Sequence, residues 1–234
     1  MGPLKIVISE TRGELAPTQA ELDTAVLRAH ESGHQLAFHA VEPKAVEAAI
    51  RAVANALSGS TRKSHRHRIE HCSICYPALA RRIAELKILV VTQPGFIYHS
   101  GTRYLATVPP QDLPYLYPLS LLTGSGVRTA ASSDCPVSPP DFVEIIYAAV
   151  TRRSKQGDIV TPEQSISVRK ALQMCTVLPA FACFQERFKG TITPGKLADL
   201  VILSENPLRL PPDDLKALEI EATILGGEPV WLDI

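Results

Sequence analysis

Short runs of apolar and β-branched residues recur along the chain, separated by longer stretches whose apolar positions fall three and four apart. The first pattern suits strands buried on both faces and the second suits helices laid over them, so the two together predict βα units on a parallel sheet. Strands are expected over residues 4–9, 35–40, 68–72, 88–93 and 127–133, and helices over 18–32, 45–57, 76–85 and 111–123. Thr18 followed by Glu21 has the form of a capping box and fixes the first helix start. Further helices are expected over 142–154, 162–175 and 179–186. Thr161, Pro162 and Glu163 read there as an N-cap, a proline in the first turn and an early acid.

From Thr191 the texture changes to short strands over 198–203, 222–225 and 230–232, the last two joined by the turn Gly226-Gly227-Glu228-Pro229. Residues 1–190 are therefore expected to form a β/α body and residues 191–234 a small β appendage. A complete eight-stranded β/α barrel takes about 250 residues, so five strands imply either a partial barrel or an open doubly wound sheet.

The 234 residues, 45% hydrophobic and 21% charged, suffice for a sizeable core. A formal net charge of zero gives no long-range attraction to nucleic acid or anionic membranes, so neither is expected as a partner. The basic run Arg62, Lys63, His65, Arg66, His67 and Arg68 lacks interleaved aromatics and reads as a solvated loop feeding a strand. The first ten residues carry neither a signal peptide nor a membrane span. Five unevenly spaced cysteines read as reduced thiols of a cytoplasmic protein, with Cys72 and Cys75 a packing pair rather than a redox or zinc motif.

Candidate chemistry gathers at the ends of the strand-like runs. His39 closes Leu36-Ala37-Phe38, His71 closes Arg68-Ile69-Glu70, and Asp134 follows Ser132-Ser133. Imidazole and carboxylate are ligands for a divalent metal, and active sites of parallel barrels collect at the carboxyl ends of strands. Zinc suits such donors first, and iron or manganese fits the same types. Tyr98, His99 and Arg103, just beyond the fourth of these runs, are placed to touch a substrate at the same rim.

The stretches Phe38-His39-Ala40, Arg66-His67-Arg68-Ile69-Glu70-His71, Val91-Thr92-Gln93-Pro94, Ser133-Asp134-Cys135-Pro136-Val137 and Thr193-Pro194-Gly195-Lys196-Leu197-Ala198-Asp199-Leu200-Val201 occur in that order. In them the chain resembles the C-terminal part of the amidohydrolase superfamily, in the YtcJ-like branch called amidohydrolase family 3, which includes N-substituted formamide deformylases. The resemblance implies strands four to eight of a metal-dependent hydrolase barrel plus part of a small β-sandwich. It also implies metal ligands at His39 and His71 on the fifth and sixth barrel strands, Asp134 on the eighth as ligand and catalytic base, and Lys5, when carboxylated, on the fourth. An uncarboxylated ammonium has no lone pair for a metal. The family's first-strand His-x-His is not matched, and His65-Arg66-His67 precedes the wrong strand to supply it. Val41-Glu42-Pro43 stands where the family often has Gly-Asp.

Two function classes follow. One is a hydrolase that cleaves a non-peptide, amide-like carbon–nitrogen bond of a small molecule with metal-activated water. The other is a non-catalytic truncated barrel that acts as a binding module or requires a complementary N-terminal chain. Uncovered strand edges predict association in that second case, including a homo-oligomer.

Overall fold

The computed structural model describes residues 2–11, 13–62 and 64–232, so Lys63 of the basic run lies outside the described residues. The chain divides into two compact units, Met1–Thr92 with Val108–Thr129, and Gln93–Thr107 with Ala130–Ile234.

The first unit carries β1 (Leu4–Val7), a hairpin of β2 (Ser9–Thr11) and β3 (Glu14–Ala16), α1 (Gln19–Glu31), β4 (Leu36–Ala40), α2 (Pro43–Leu57), β5 (Arg68–His71), α3 (Pro77–Glu85), β6 (Leu89–Thr92) and α5 (Leu119–Gly124). Between β6 and α5 the chain visits the second unit for α4 (Gly95–Thr107), and β7 (Thr129–Ala131) ends the sheet, whose order is β1-β4-β5-β6-β7. The pairings β1–β4, β4–β5 and β5–β6 are parallel, as the sequence pattern predicts. Register sets Ile6, Phe38, Ile69 and Val90 side by side in one row. That row faces a core built from Leu22 and Val26 of α1, Val46, Ile50 and Val53 of α2 and Ile83 of α3. Each such side chain, fully buried, contributes about 1.5–3 kcal/mol. Ala45, Ala48, Ala49, Ala52 and Ala56 let α2 lie close to its neighbours while keeping a strong helix former at each position. The next row, Val7, His39, Glu70 and Val91, projects from the opposite face of the sheet by the two-residue alternation of strands.

The capping box at α1 forms as expected, with Thr18 and Glu21 each accepting from the other's backbone N–H. One element of this unit was not anticipated and one expectation fails. The hairpin β2–β3 has strands only three residues long on either side of Gly13, whose φ is +83°, too short to stand out as strands in the sequence pattern. The helix expected over 111–123 is a 3-10 turn at Leu113–Tyr115 followed by the short α5, since Pro114 and Pro118 break the repeat.

The second unit holds α4, α6 (Phe142–Thr151), α7 (Val168–Cys175), α8 (Val177–Ala182) and an antiparallel sheet in the order β10-β9-β8, from β8 (Leu200–Leu203), β9 (Ile220–Leu225) and β10 (Glu228–Leu232). Asp141 caps α6, its Oδ1 accepting from the N–H groups of Val143 and Glu144 at 2.8 and 3.0 Å. The start expected at Thr161 is a 3-10 turn, Pro162–Gln164; Thr161 sits at φ +49° and its hydroxyl accepts from buried Arg152 at 2.8 Å. Ser167 caps α7 instead. Sequence reading missed α4 altogether, because Gly95 and Gly101 make it look like loop. Gly101 serves packing: a Cβ there would lie 2.9 Å from Val160 Cγ2 and 3.0 Å from Ser154 Cβ. Among the described residues no helix is long and apolar enough to cross a membrane.

Candidate metal-binding site

In the first unit, β4 and β5 bring His39 and His71 together. His71 Nε2 lies 2.9 Å from His39 Nδ1, the ring centroids 4.4 Å apart and the planes at 70°. His71 ends β5 with φ +72° and Cys72 follows at +51°. A non-glycine residue in the left-handed region costs about 1–2 kcal/mol, and such positions cluster at functional sites. The turn is held by the Cys72 N–H, which donates to Ala40 O at 3.0 Å and so ties the end of β5 to the end of β4. Cys72 and Cys75 are free and fully buried, consistent with their role as packing residues.

The donor chemistry of this pair fits a divalent cation. Two imidazole nitrogens each about 2.0–2.1 Å from zinc stand about 3.3 Å apart at a tetrahedral angle, so the observed 2.9 Å needs only a few tenths of an ångström of opening. Among the described residues no three His, Cys, Asp or Glu side chains stand close enough to hold a metal, so the pair supplies two donors and no preformed third. Lys5 is exposed, aligned with Ala37 rather than His39, one row back on the same sheet face. Glu70, aligned with His39, is nearly buried and takes Arg68 Nε on its Oε1 at 2.6 Å.

In the second unit, Asp134 follows β7 at φ +58°. Its turn is fixed by Val137 N–H to Asp134 O at 2.8 Å and by the Ser138 hydroxyl, which donates to Ser133 O at 2.7 Å. The Asp134 carboxylate is half-buried and has no hydrogen bond or ion pair within the described residues. Tyr98 and His99 lie near the start of α4, and Arg103 is exposed one turn on, its guanidinium 5.1 Å from the Tyr104 ring centre. His99 Nε2 lies 2.9 Å from Oε2 of Glu144, a residue that sequence reading passed over as part of a helix. Its position in the first turn after the Asp134 loop was the available signal.

The basic run corrects a further expectation. His65 and His67 are buried, not solvated, and join His30 of α1 in one network. His67 Nδ1 accepts from Leu36 N–H at 3.1 Å, so a neutral His67 carries its proton on Nε2 and donates to His30 Nδ1 at 2.9 Å. His30 then donates from Nε2 to Ser60 Oγ at 2.7 Å. His65 Nδ1 accepts from His67 N–H at 2.9 Å, leaving Nε2–H for Leu86 O at 2.9 Å. Burial lowers the pKa of all three and takes His67 to about 2. Every ring nitrogen in this group has a partner in the neutral state.

In the first unit a parallel βα array carries two paired imidazoles at the carboxyl ends of adjacent strands, the end at which parallel β/α folds gather their chemistry. The amidohydrolase family profile matches residues 8–231, and the chain belongs to that family. It is 28% identical over 214 residues to the N-substituted formamide deformylase of Arthrobacter pascens, covering 90% of this chain and 39% of that protein. It is 31% identical over 215 residues to the protein LONG AFTER FAR-RED 3 of Arabidopsis thaliana, covering 90% and 36%. The crystal structure of an uncharacterized metal-dependent hydrolase from Pyrococcus furiosus superposes with a TM-score of 0.74 at 26% identity, over 89% of this chain and 45% of that one. The chain thus spans less than half the length of each of these proteins.

Proposed function

We propose that this chain carries the later half of a metal-dependent amidohydrolase site and takes part in cleaving an amide-like carbon–nitrogen bond of a small cytoplasmic substrate. The observation that carries the reading is the 2.9 Å contact between His39 and His71, from two adjacent strands, with His71 on a left-handed backbone. In the family's order β1, β4, β5, β6 and β7 correspond to barrel strands four to eight, with residues 191–234 belonging to a small β domain. His39 and His71 would hold one divalent cation, zinc first, and Lys5 could add a ligand only as its carbamate. Bound there, the cation supplies charge that polarises the scissile carbonyl and lowers the pKa of a water.

The chain's own residues do the rest. Asp134, as catalytic base, accepts the proton of the attacking water and passes it to the leaving nitrogen. A carboxylate suits that shuttle because nearby positive charge keeps it ionised until the proton arrives. Tyr98 and His99, near the start of α4, would orient the substrate, and exposed Arg103 would meet it only at the rim. Metal analysis of the purified chain beside His39→Ala and His71→Ala tests the reading. About one metal per chain, lost in both variants, is expected; content under about a tenth, unchanged by either substitution, overturns it.

A second reading draws on β1, the end strand of the sheet, where Leu4 and Val7 are 45% and 56% exposed. An apolar end strand invites pairing with another chain. On this reading the chain is a non-catalytic binding module, or works only beside a complementary chain or a second copy. Sedimentation at micromolar concentration tests it: a monomer counts against association, and turnover of a formamide by the isolated chain dismisses the non-catalytic form.

A further inference from the structure

The second unit contains a cavity of about 290 Å³ lined by side chains of α4, of α6 and of the segment leading into β9. Its charged groups are already accounted for. Glu144 Oε2 lies 2.9 Å from His99 Nε2, and Asp141 Oδ1 takes two backbone N–H groups at the start of α6. Lys216 is exposed, so water solvates its ammonium at the edge. No charge in the lining is left to call an ion inside.

What is left over is a phenol. Tyr147 is 5% exposed, and its hydroxyl makes no hydrogen bond among the described residues. That oxygen is not walled in by protein atoms, so it opens on the cavity that its ring lines. Buried phenol hydroxyls ordinarily have a partner, and one left bare inside a protein asks for an acceptor. The Tyr98 ring meets Tyr147 edge to face, 6.0 Å away at 90°, and presents a second hydroxyl without a partner among the described residues. Burial, and then the negative charge of Glu144, holds the Tyr98 phenol above its ordinary pKa, so it keeps its proton and stays a donor. Leu218 and Ile220 add an apolar wall. Small-molecule sites have this make-up, an apolar lining with a few convergent polar groups.

We propose that this cavity binds a small uncharged carbonyl compound, a ketone or amide with a compact alkyl group. The Tyr147 and Tyr98 hydroxyls donate to its carbonyl oxygen, and the alkyl group packs against Leu218 and Ile220. The assignment goes beyond the hydrolase reading and stands whether or not His39 and His71 take a metal.

The test is ligand-detected NMR titration of the full chain, kept metal-free with EDTA so that no turnover intervenes. Its probes are pivalamide, pivalate and tert-butylammonium, which share one tert-butyl group and differ in charge. Pivalamide should saturate and bind at least about tenfold more tightly than either ion. Tyr147→Phe deletes only the unpartnered hydroxyl, so it should weaken pivalamide binding by about tenfold and leave the urea midpoint of the free chain unchanged or higher. A hydroxyl that served the fold alone would lower that midpoint and leave binding as it was. Failure of pivalamide to saturate, an ion that binds as tightly as the amide, or a Tyr147→Phe chain that binds pivalamide as well as the parent overturns the proposal. Metal analysis decides the hydrolase reading separately, since none of these outcomes depends on a bound metal.

Discussion

Two groups of histidines sit at opposite ends of the same strands and are built on opposite principles. At the amino ends, His67 precedes β5, His65 lies two residues earlier and His30 reaches in from α1. Each ring there is locked as a neutral tautomer by a chain of donors and acceptors that begins and ends on backbone or serine. At the carboxyl ends, His39 and His71 lie nitrogen to nitrogen, and the backbone bends into the left-handed region to place His71. The first arrangement lowers the energy of the folded chain by satisfying buried polar atoms. The second spends backbone energy to bring two metal-type donors together. In a parallel β/α fold that is the expected division, with stability at the amino ends and chemistry at the carboxyl ends.

The sharpest way to break the contrast is to exchange the losses. His71→Gly should lower metal affinity by at least about a hundredfold, while unfolding by urea shifts by less than about 1 kcal/mol because glycine relieves the left-handed strain that alanine would keep. His67→Ala should do the reverse, costing about 2–4 kcal/mol through a cavity, an orphaned Leu36 N–H and a broken link to His30, with metal affinity little changed. Metal titration and urea midpoints on both variants check it. Equal effects of the two substitutions on both measurements would erase the distinction.

The contrast also explains what the sequence could and could not reveal. His39, His71 and Asp134 were singled out because each ends a strand-like run, and the five main strands lie within a few residues of expectation because their runs are short and bounded. His65 and His67 were misread, since a local string of cations looks solvated when its partners, His30, Leu36 and Leu86, are spread over 57 residues of sequence. Helix α4 was lost for a related reason. Its Gly101 answers to Val160 and Ser154, more than fifty residues away, and local propensity carries no trace of that contact. Glu144 likewise acquires meaning only from the folding of α6 against α4, which sets it beside His99.

Acid should separate the two groups more gently. A histidine near pH 6.5 in the unfolded chain and lower when folded stabilises the fold fully above that value and less as pH falls toward the folded pKa. With His67 at about 2, this residue alone withdraws about 1.4 kcal/mol for each pH unit below about 6, and His30 and His65 add in the same direction. Urea midpoints measured from pH 7.5 to 4.5 should therefore fall steeply, and His67→Gln should flatten the slope. A parent and variant with the same slope would show that these rings are not the acid-labile element.

Ser60→Ala provides the finest cut. The serine hydroxyl lies at the end of the chain of donors, 2.7 Å from His30 Nε2, and also accepts from Arg62 N–H at 3.1 Å. Removing it leaves the His30 proton without its acceptor yet keeps His67 and His65 in place, so the expected loss is about 1 kcal/mol, well below that of His67→Ala. The residual network should then tolerate the His30 tautomer with its proton on Nδ1 only if His67 gives up its own donor role, which the Leu36 N–H forbids. If the tautomer chain is the stabilising element, a double change of Ser60 and His67 should cost less than the sum of the two single losses, because both break one connected path.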